Sequence, residues 1–333
     1  MKNNVTIKDI ANELNLSATA VSRALRNMPD ISEETRKKVR EQAKKMNYSK
    51  NYLASTLRTR SSNIIGLIMD IRNPVYTGMY QGIEDVCKEE GYIILFSTSN
   101  ERAADEWKAI EAMYSHQVDG IILCPTLENT ENIKKLQELG IPFVLIGRTF
   151  DEEGVHSVVT SDLQGGYLVC SHLLSKGYKT FLYMTVPLNC APAIDRYKGF
   201  CRCMEDNGIP HSALTICECL PTWKDTYSYM KNLLDSGFRC DAVFTFNDVM
   251  ATGVLKCLNE HSVKVPEEIA VIGYDNIDSC ELAHPGLSTV DILAYRQGHD
   301  GMTMLLDLLH NKEIPADKHR ISYPPNIVIR HST

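Results

Sequence analysis

The run Thr6-Ile7-Lys8-Asp9-Ile10-Ala11-Asn12-Glu13-Leu14-Asn15-Leu16-Ser17-Ala18-Thr19-Ala20-Val21-Ser22-Arg23-Ala24-Leu25 holds two short helices with almost nothing between them. Thr6 starts the first, its hydroxyl placed to accept the Asp9 amide, and Asp9 lies where negative charge suits the helix dipole. Ile7, Ile10, Ala11 and Leu14 recur at helical spacing. Ser17 caps the second helix, which buries Ala20, Val21, Ala24 and Leu25. Met28-Pro29-Asp30 then breaks the chain, and Ser32 caps a third helix to about Met46, with Val39, Ala43 and Met46 inward. Two helices joined by a two-residue turn and followed by a third form an all-α helix-turn-helix headpiece.

Charge supports that reading. The 333-residue chain carries −7 in all, yet residues 1–60 hold thirteen Lys/Arg against six Asp/Glu, so the remainder stands at −14. A basic module on an acidic body favours phosphates. The second helix exposes Ala18, Thr19, Ser22 and Arg23 near its start, where a recognition helix presents side chains to base edges. Arg23 can donate twice to a guanine, and Ala18 or the Thr19 methyl can touch a thymine methyl. Thr6, Ser17, Ser22 and Asn27 are candidate phosphate anchors.

Val5–Ala11, Leu16–Leu25 and Ile31-Ser32-Glu33-Glu34-Thr35-Arg36 resemble the headpiece of the lactose-repressor (LacI/GalR) family. The resemblance places Ala18, Thr19 and Arg23 at base-reading positions and 51–58 on a hinge helix. It makes Leu57 a minor-groove wedge and seats Leu53, beside Ala54, against its twin in a second subunit. Such a wedge would bend the duplex, and so short a helix would form only with DNA and a partner present. Lys50 stands where the family usually has proline, which loosens the approach to the hinge.

Beyond Asn63 the pattern changes. Ile64–Met69, Tyr92–Phe96, Gly120–Leu123 and Phe143–Ile146 are apolar runs of buried parallel strands, separated by helices near 76–90, 102–117 and 131–139. A second series follows at Thr180–Met184, Ala242–Phe246 and Ile269–Ile272. The alternation predicts an α/β body of two doubly wound parallel-sheet lobes, with a ligand cleft at the strand C-termini. The family resemblance extends here through Asn73-Pro74-Val75-Tyr76, Arg196-Tyr197-Lys198-Gly199-Phe200, Phe246-Asn247-Asp248 and Gly273-Tyr274-Asp275, and implies a body similar to a periplasmic sugar-binding protein. It gives a headpiece at 1–48, a hinge and linker at 49–61 and an effector-binding, dimerising body at 62–333. The first lobe then takes 62–161 and 292–320, the second 162–291 and 321–333.

By the same resemblance Arg196, Asn247 and Asp275 contact an effector, with Trp223 near a stacking position. Asn73, Tyr76, Pro125 and Arg148 are candidates from the first lobe. These types suit a sugar: a guanidinium fork, a carboxylate accepting from two hydroxyls, and an aromatic for the apolar ring face. A nucleobase or phosphosugar would use similar groups. Asn247 and Asp248 are equally placed to cap a helix from Val249, Trp223 to pack, and Arg196 to pair with Asp275.

No cofactor, metal or catalytic site is read from the sequence. Cys201-Arg202-Cys203 and Cys217-Glu218-Cys219 lack zinc-knuckle spacing, and there is no nucleophile elbow or phosphate loop. The N-terminus carries no secretory signal and no run is long enough to span a bilayer, so a cytoplasmic protein with reduced thiols is expected. A solute-binding receptor would share the body but not the basic head. The expected partners are therefore a palindromic DNA operator, a small-molecule effector and a second copy of the chain. The absence of a heptad-bearing tail favours a dimer over a tetramer.

Overall fold

Asp9 closes the first helix from both sides. Its amide donates to Thr6 Oγ1 at 3.4 Å while the Thr6 amide donates back to its carboxylate at 2.7 Å, so two otherwise orphaned donors are satisfied. The computed structural model describes residues 5–48, 61–126, 131–150 and 152–333. They fall into two units that divide between Ser62 and Asn63.

In the first unit, α1 (Ile7–Leu14) ends on Asn15, whose left-handed φ of 53° turns the chain within two residues. Ser17 caps α2 (Ala18–Leu25) by accepting the Ala20 amide at 3.1 Å. Ser32 caps α3 (Glu33–Lys45), which carries Glu33 and Glu34 in its first turn and Lys44 and Lys45 in its last, complementing its dipole at both ends. Ile10, Ala11, Val21, Ala24, Val39 and Ala43 form the small core. Ala20, Leu25 and Met46 are only half-buried, because three short helices cannot enclose every inward position.

In the second unit β1 (Ile64–Ile68), α4 (Val75–Glu90), β2 (Ile93–Ser97), α5 (Ala103–Ser115), β3 (Gly120–Leu123), α6 (Glu131–Glu138), β4 (Phe143–Ile146) and β5 (Ser157–Thr160) build one parallel sheet. Every residue of β3 and β4 is buried, which is why these strands read as unbroken apolar runs rather than alternating ones. The chain then passes to α7 (Asp162–Ser175), β6 (Phe181–Thr185), α8 (Ala191–Asp206), β7 (Leu214–Glu218), α9 (Trp223–Asp235), β8 (Ala242–Thr245), α10 (Asp248–Glu260) and β9 (Ala270–Ile272). These strands form a second parallel sheet in the order β7-β6-β8-β9. A short α11 (Ser279–Leu282) leads to β10 (Thr289–Asp291), α12 (Ala294–Leu309), β11 (Arg320–Tyr323) and β12 (Asn326–Val328).

Arg320–Tyr323, assigned above from residue 321 to the second lobe, pairs with β5 as the edge of the first sheet, whose order is β11-β5-β4-β3-β1-β2. The third passage between lobes therefore falls after Tyr323, where β12 pairs antiparallel with β10. Strands β5, β7 and β10 to β12 went unread, since runs such as Leu214-Thr215-Ile216-Cys217-Glu218 at a sheet edge carry too little apolar signal. Among the described residues, no helix is long and apolar enough to cross a membrane.

Candidate functional site

The headpiece presents Thr19 exposed and Ser22 and Arg23 half-buried on α2. The Arg23 Nε lies 2.8 Å from Asp30 Oδ2, an ion pair more than two-fifths exposed on each side. Asp30 sits in the break before α3, so the sequence stretch that ends the helix also supplies a holder for its Arg. Ala18, read as a base contact, is half-buried against the headpiece core, leaving only part of its methyl outward. Of the expected anchors, Thr6 donates its hydroxyl to Asp9, whereas Ser17 accepts the Ala20 amide, a cap role that uses a lone pair and not its O–H. The Ser22 carbonyl accepts from Arg26 Nε at 3.2 Å. Asn27, left-handed at φ 56°, takes the Arg40 guanidinium on its side-chain oxygen. Leu53, Ala54, Leu57 and Lys50 lie outside the described residues.

In the body, two arginines organise the remaining candidates. From the first lobe Arg148, just beyond β4, donates to Glu101 at 2.9 Å, to the Pro125 carbonyl at 2.8 Å and to the Tyr76 hydroxyl at 3.0 Å. Tyr76 is buried on α4 and Pro125 lies just past β3. From the second lobe Arg196 on α8 donates to Asp162 at 2.8 Å and to the Phe246 carbonyl. Its guanidinium lies 3.6 Å from the Tyr274 ring centroid and 4.5 Å from that of Phe246, contacts that favour a desolvated cation. The open ion pair considered for Arg196 and Asp275 is instead made with Asp162, which starts α7. Asp275 accepts the Asn73 side-chain amide at 2.7 Å, so one bond joins the loop after β1 to the loop after β9. A cavity of about 300 Å³ is lined by Arg148 and Asp162, whereas Arg196, Asn247, Asp275, Asn73 and Tyr76 are not among its lining residues.

Burial pushes the Asp275 carboxyl up to about 6, opposed by the nearby Arg196 charge and the Asn73 bond. Burial likewise raises Tyr76 well above the usual phenol range. These are groups whose protonation an entering ligand would feel.

Asn247 caps α10, its side-chain oxygen accepting the Met250 amide at 2.9 Å, which uses one of that oxygen's two lone pairs. Asp248, read as a cap, is instead the first helical residue. It is fully buried, taking the Thr289 hydroxyl at 2.6 Å and the Ile277 amide at 3.0 Å. Trp223 makes no hydrogen bond or ring contact with either arginine among the described residues; its backbone carbonyl instead lies against Gly253. It opens α9 with 42% of its surface exposed and carries the Lys224 ammonium 5.7 Å from its ring. Asp162, Glu101, Phe246 and Tyr274 were missed by the sequence reading. The sequence could have flagged Asp162, an acid behind a strand terminus, but nothing in it ties Glu101 to Arg148 across 47 residues.

The chain matches the model of bacterial regulatory proteins of the lacI family over residues 6–51 and that of a periplasmic binding protein-like domain over 170–333. It is 31% identical to the HTH-type transcriptional regulator DegA of Bacillus subtilis, with 98% of each chain covered. A LacI family transcriptional regulator from Enterococcus faecium, solved with bound ribose, shares 30% identity at a TM-score of 0.73, covering 81% of this chain and 98% of that one. The lac repressor dimer bound to operator and an anti-inducer shares the fold, with a TM-score of 0.88 over 99% of both chains at 22% identity. Head and body, each with the architecture its sequence pattern demands, make this chain a member of the lacI family of bacterial regulatory proteins and a DNA-binding regulator of transcription.

Proposed function

We propose that the protein is a homodimeric cytoplasmic repressor that releases or engages a palindromic operator in response to a neutral polyhydroxy compound, a sugar, bound between the lobes of its body. The segment 49–61 links the reading head to that sensor. Two heads related by a twofold axis fit two half-sites, and Thr19 and Arg23 read bases within each. The effector acts by preferring one arrangement of the lobes; equal affinity for both would shift nothing.

The observation that carries the sugar reading is the pairing of charge around the cleft. Arg148 is matched by Glu101, Arg196 by Asp162, and Arg72 by Asp70 at 2.5 Å. No unpaired guanidinium among these waits for a phosphate, and Asp275 adds a carboxylate whose one side-chain donor among the described residues is the neutral Asn73. A carboxylate with free lone pairs is suited to hydroxyl donors and repels an anion. The ribose held by the Enterococcus faecium regulator agrees in class.

The test is isothermal calorimetry of the full chain against neutral monosaccharides, their phosphate esters and purines, followed by operator binding with and without each ligand. Saturable binding of a neutral sugar that changes operator affinity is expected. Tight binding confined to a phosphosugar or a purine would overturn the assignment.

A further inference from the structure

Gln297 is 1% exposed on α12, a buried neutral amide with both ends engaged. Its oxygen accepts the Gly147 amide at 3.0 Å, and its nitrogen donates to Thr160 Oγ1 at 3.0 Å and to the Ile292 carbonyl at 2.6 Å. The Thr160 hydroxyl donates in turn to the same Ile292 carbonyl. Thr160 ends β5 just before the chain enters the second lobe, and Ile292 follows β10 at the second passage. Gly147 precedes Arg148. On the other side, the Asp275 amide donates to the Val290 carbonyl at 2.9 Å, two residues before Ile292.

The platform beneath this knot is stiff. A Cβ on Gly82 of α4 would stand 2.2 Å from the Tyr295 carbonyl, and one on Gly298 would stand 1.9 Å from that of Met79. The backbones of α4 and α12 therefore touch, which opposes sliding of the helix that carries Gln297. The groups it holds are not otherwise orphaned: the Gly147 amide also reaches the Val158 carbonyl at 3.2 Å, and the Ile292 carbonyl keeps the Thr160 hydroxyl. An apolar residue would satisfy the fold, so the amide adds a connection rather than filling a vacancy. Fully satisfied buried networks of this kind hold their members in a single arrangement.

We propose that Gln297 is a positioning residue of the effector site. It fastens the passages at Thr160 and Ile292 to the strand end that carries Arg148, so that a shift of Arg148 is felt at the pivot between lobes. The role rests on the effector-site reading above, but its test contains no effector.

Hydrogen exchange is followed in the full ligand-free chain for wild type, Gln297→Leu and Gln297→Glu. In Gln297→Leu, exchange in the segments 147–150, 160–163 and 291–294 rises together by about tenfold while the melting temperature stays within a few degrees. In Gln297→Glu a protonated carboxyl can donate to Ile292 as the amide did, whereas a carboxylate cannot. The excess over wild type is therefore small at about pH 5 and grows by about pH 9. A Gln297→Leu chain that exchanges like wild type in these segments, or a Gln297→Glu chain with the same excess at both pH values, overturns the proposal. Because no sugar is present, failure to find an effector leaves this result standing, and failure here leaves the sugar assignment standing.

Discussion

The side-chain amide of Asn73 donates to the carboxylate of Asp275 across 2.7 Å, joining residues 202 positions apart in the chain. Asn73 lies beyond β1 of the first sheet and Asp275 beyond β9 of the second. A polyol that bonds Asp275 either uses the oxygen this amide leaves open or competes with the amide itself, and competition loosens the side-chain bond between these two loops.

Asp275→Ala removes the acceptor. Loss of hydrogen bonds to a charged group costs about 1.5–3 kcal/mol each, so effector affinity measured by calorimetry falls by about tenfold to a hundredfold or more. Operator affinity without effector stays close to wild type. A variant that binds the effector as tightly as wild type does would place the site elsewhere.

The same carboxyl sets a pH dependence. Asp275 accepts hydroxyls more strongly as a carboxylate than as a neutral acid, and burial raises its carboxyl to about 6. Effector affinity therefore weakens as pH drops through that value, while Asp275→Asn binds weakly and without the step. Calorimetry from about pH 5 to about pH 8 separates the two behaviours.

Asp248 bears on stability rather than binding. Burial, and then the charge of Asp275, raises it from 3.8 to about 7. The folded chain thus holds a proton that the unfolded chain has already lost over this interval. Its contribution to stability is fully present below about pH 4 and is lost as pH rises to about 7. Asp248→Asn flattens that part of the urea-midpoint profile; an unchanged slope would show that Asp248 ionises normally.

Arg23→Ala tests the reading head. Loss of a bidentate base contact costs about 1–3 kcal/mol of discrimination, so the ratio of operator to random-sequence affinity drops about tenfold to a hundredfold. Fluorescence anisotropy at one fixed salt concentration measures it, since phosphate contacts shift with salt. Asp30→Asn releases the Arg23 holder and keeps discrimination; equal losses in both variants would instead make the Arg23–Asp30 pair a structural brace.

Gly166→Ala tests how α7 and α8 carry Arg196. A Cβ there would stand 2.0 Å from the Arg196 carbonyl, so the helices must part. Overpacking of this kind costs about 1–3 kcal/mol, seen as a lower melting temperature. Effector affinity falls with it, because Arg196 moves with its backbone.

Much of this is written in the sequence itself. Caps at Thr6, Ser17 and Ser32 are local, since a hydroxyl reaches an amide three residues on, and they locate three helices within one residue of the observed starts. Buried strands such as Gly120–Leu123 and Phe143–Ile146 betray themselves by apolar runs. The choice of Arg196 and Asp275 as effector contacts came from resemblance alone; the structure shows both buried in the body.

What tertiary structure alone decided is who meets whom. Edge strands such as Arg320–Tyr323 are recognised by the neighbour they pair with, and the partners Glu101, Asp162 and Gln297 are brought to Arg148, Arg196 and Gly147 by sheet order. Local preferences act over three or four residues and so are written in the chain; pairing of charges and amides across dozens of residues depends on how the layers close, which no short stretch specifies.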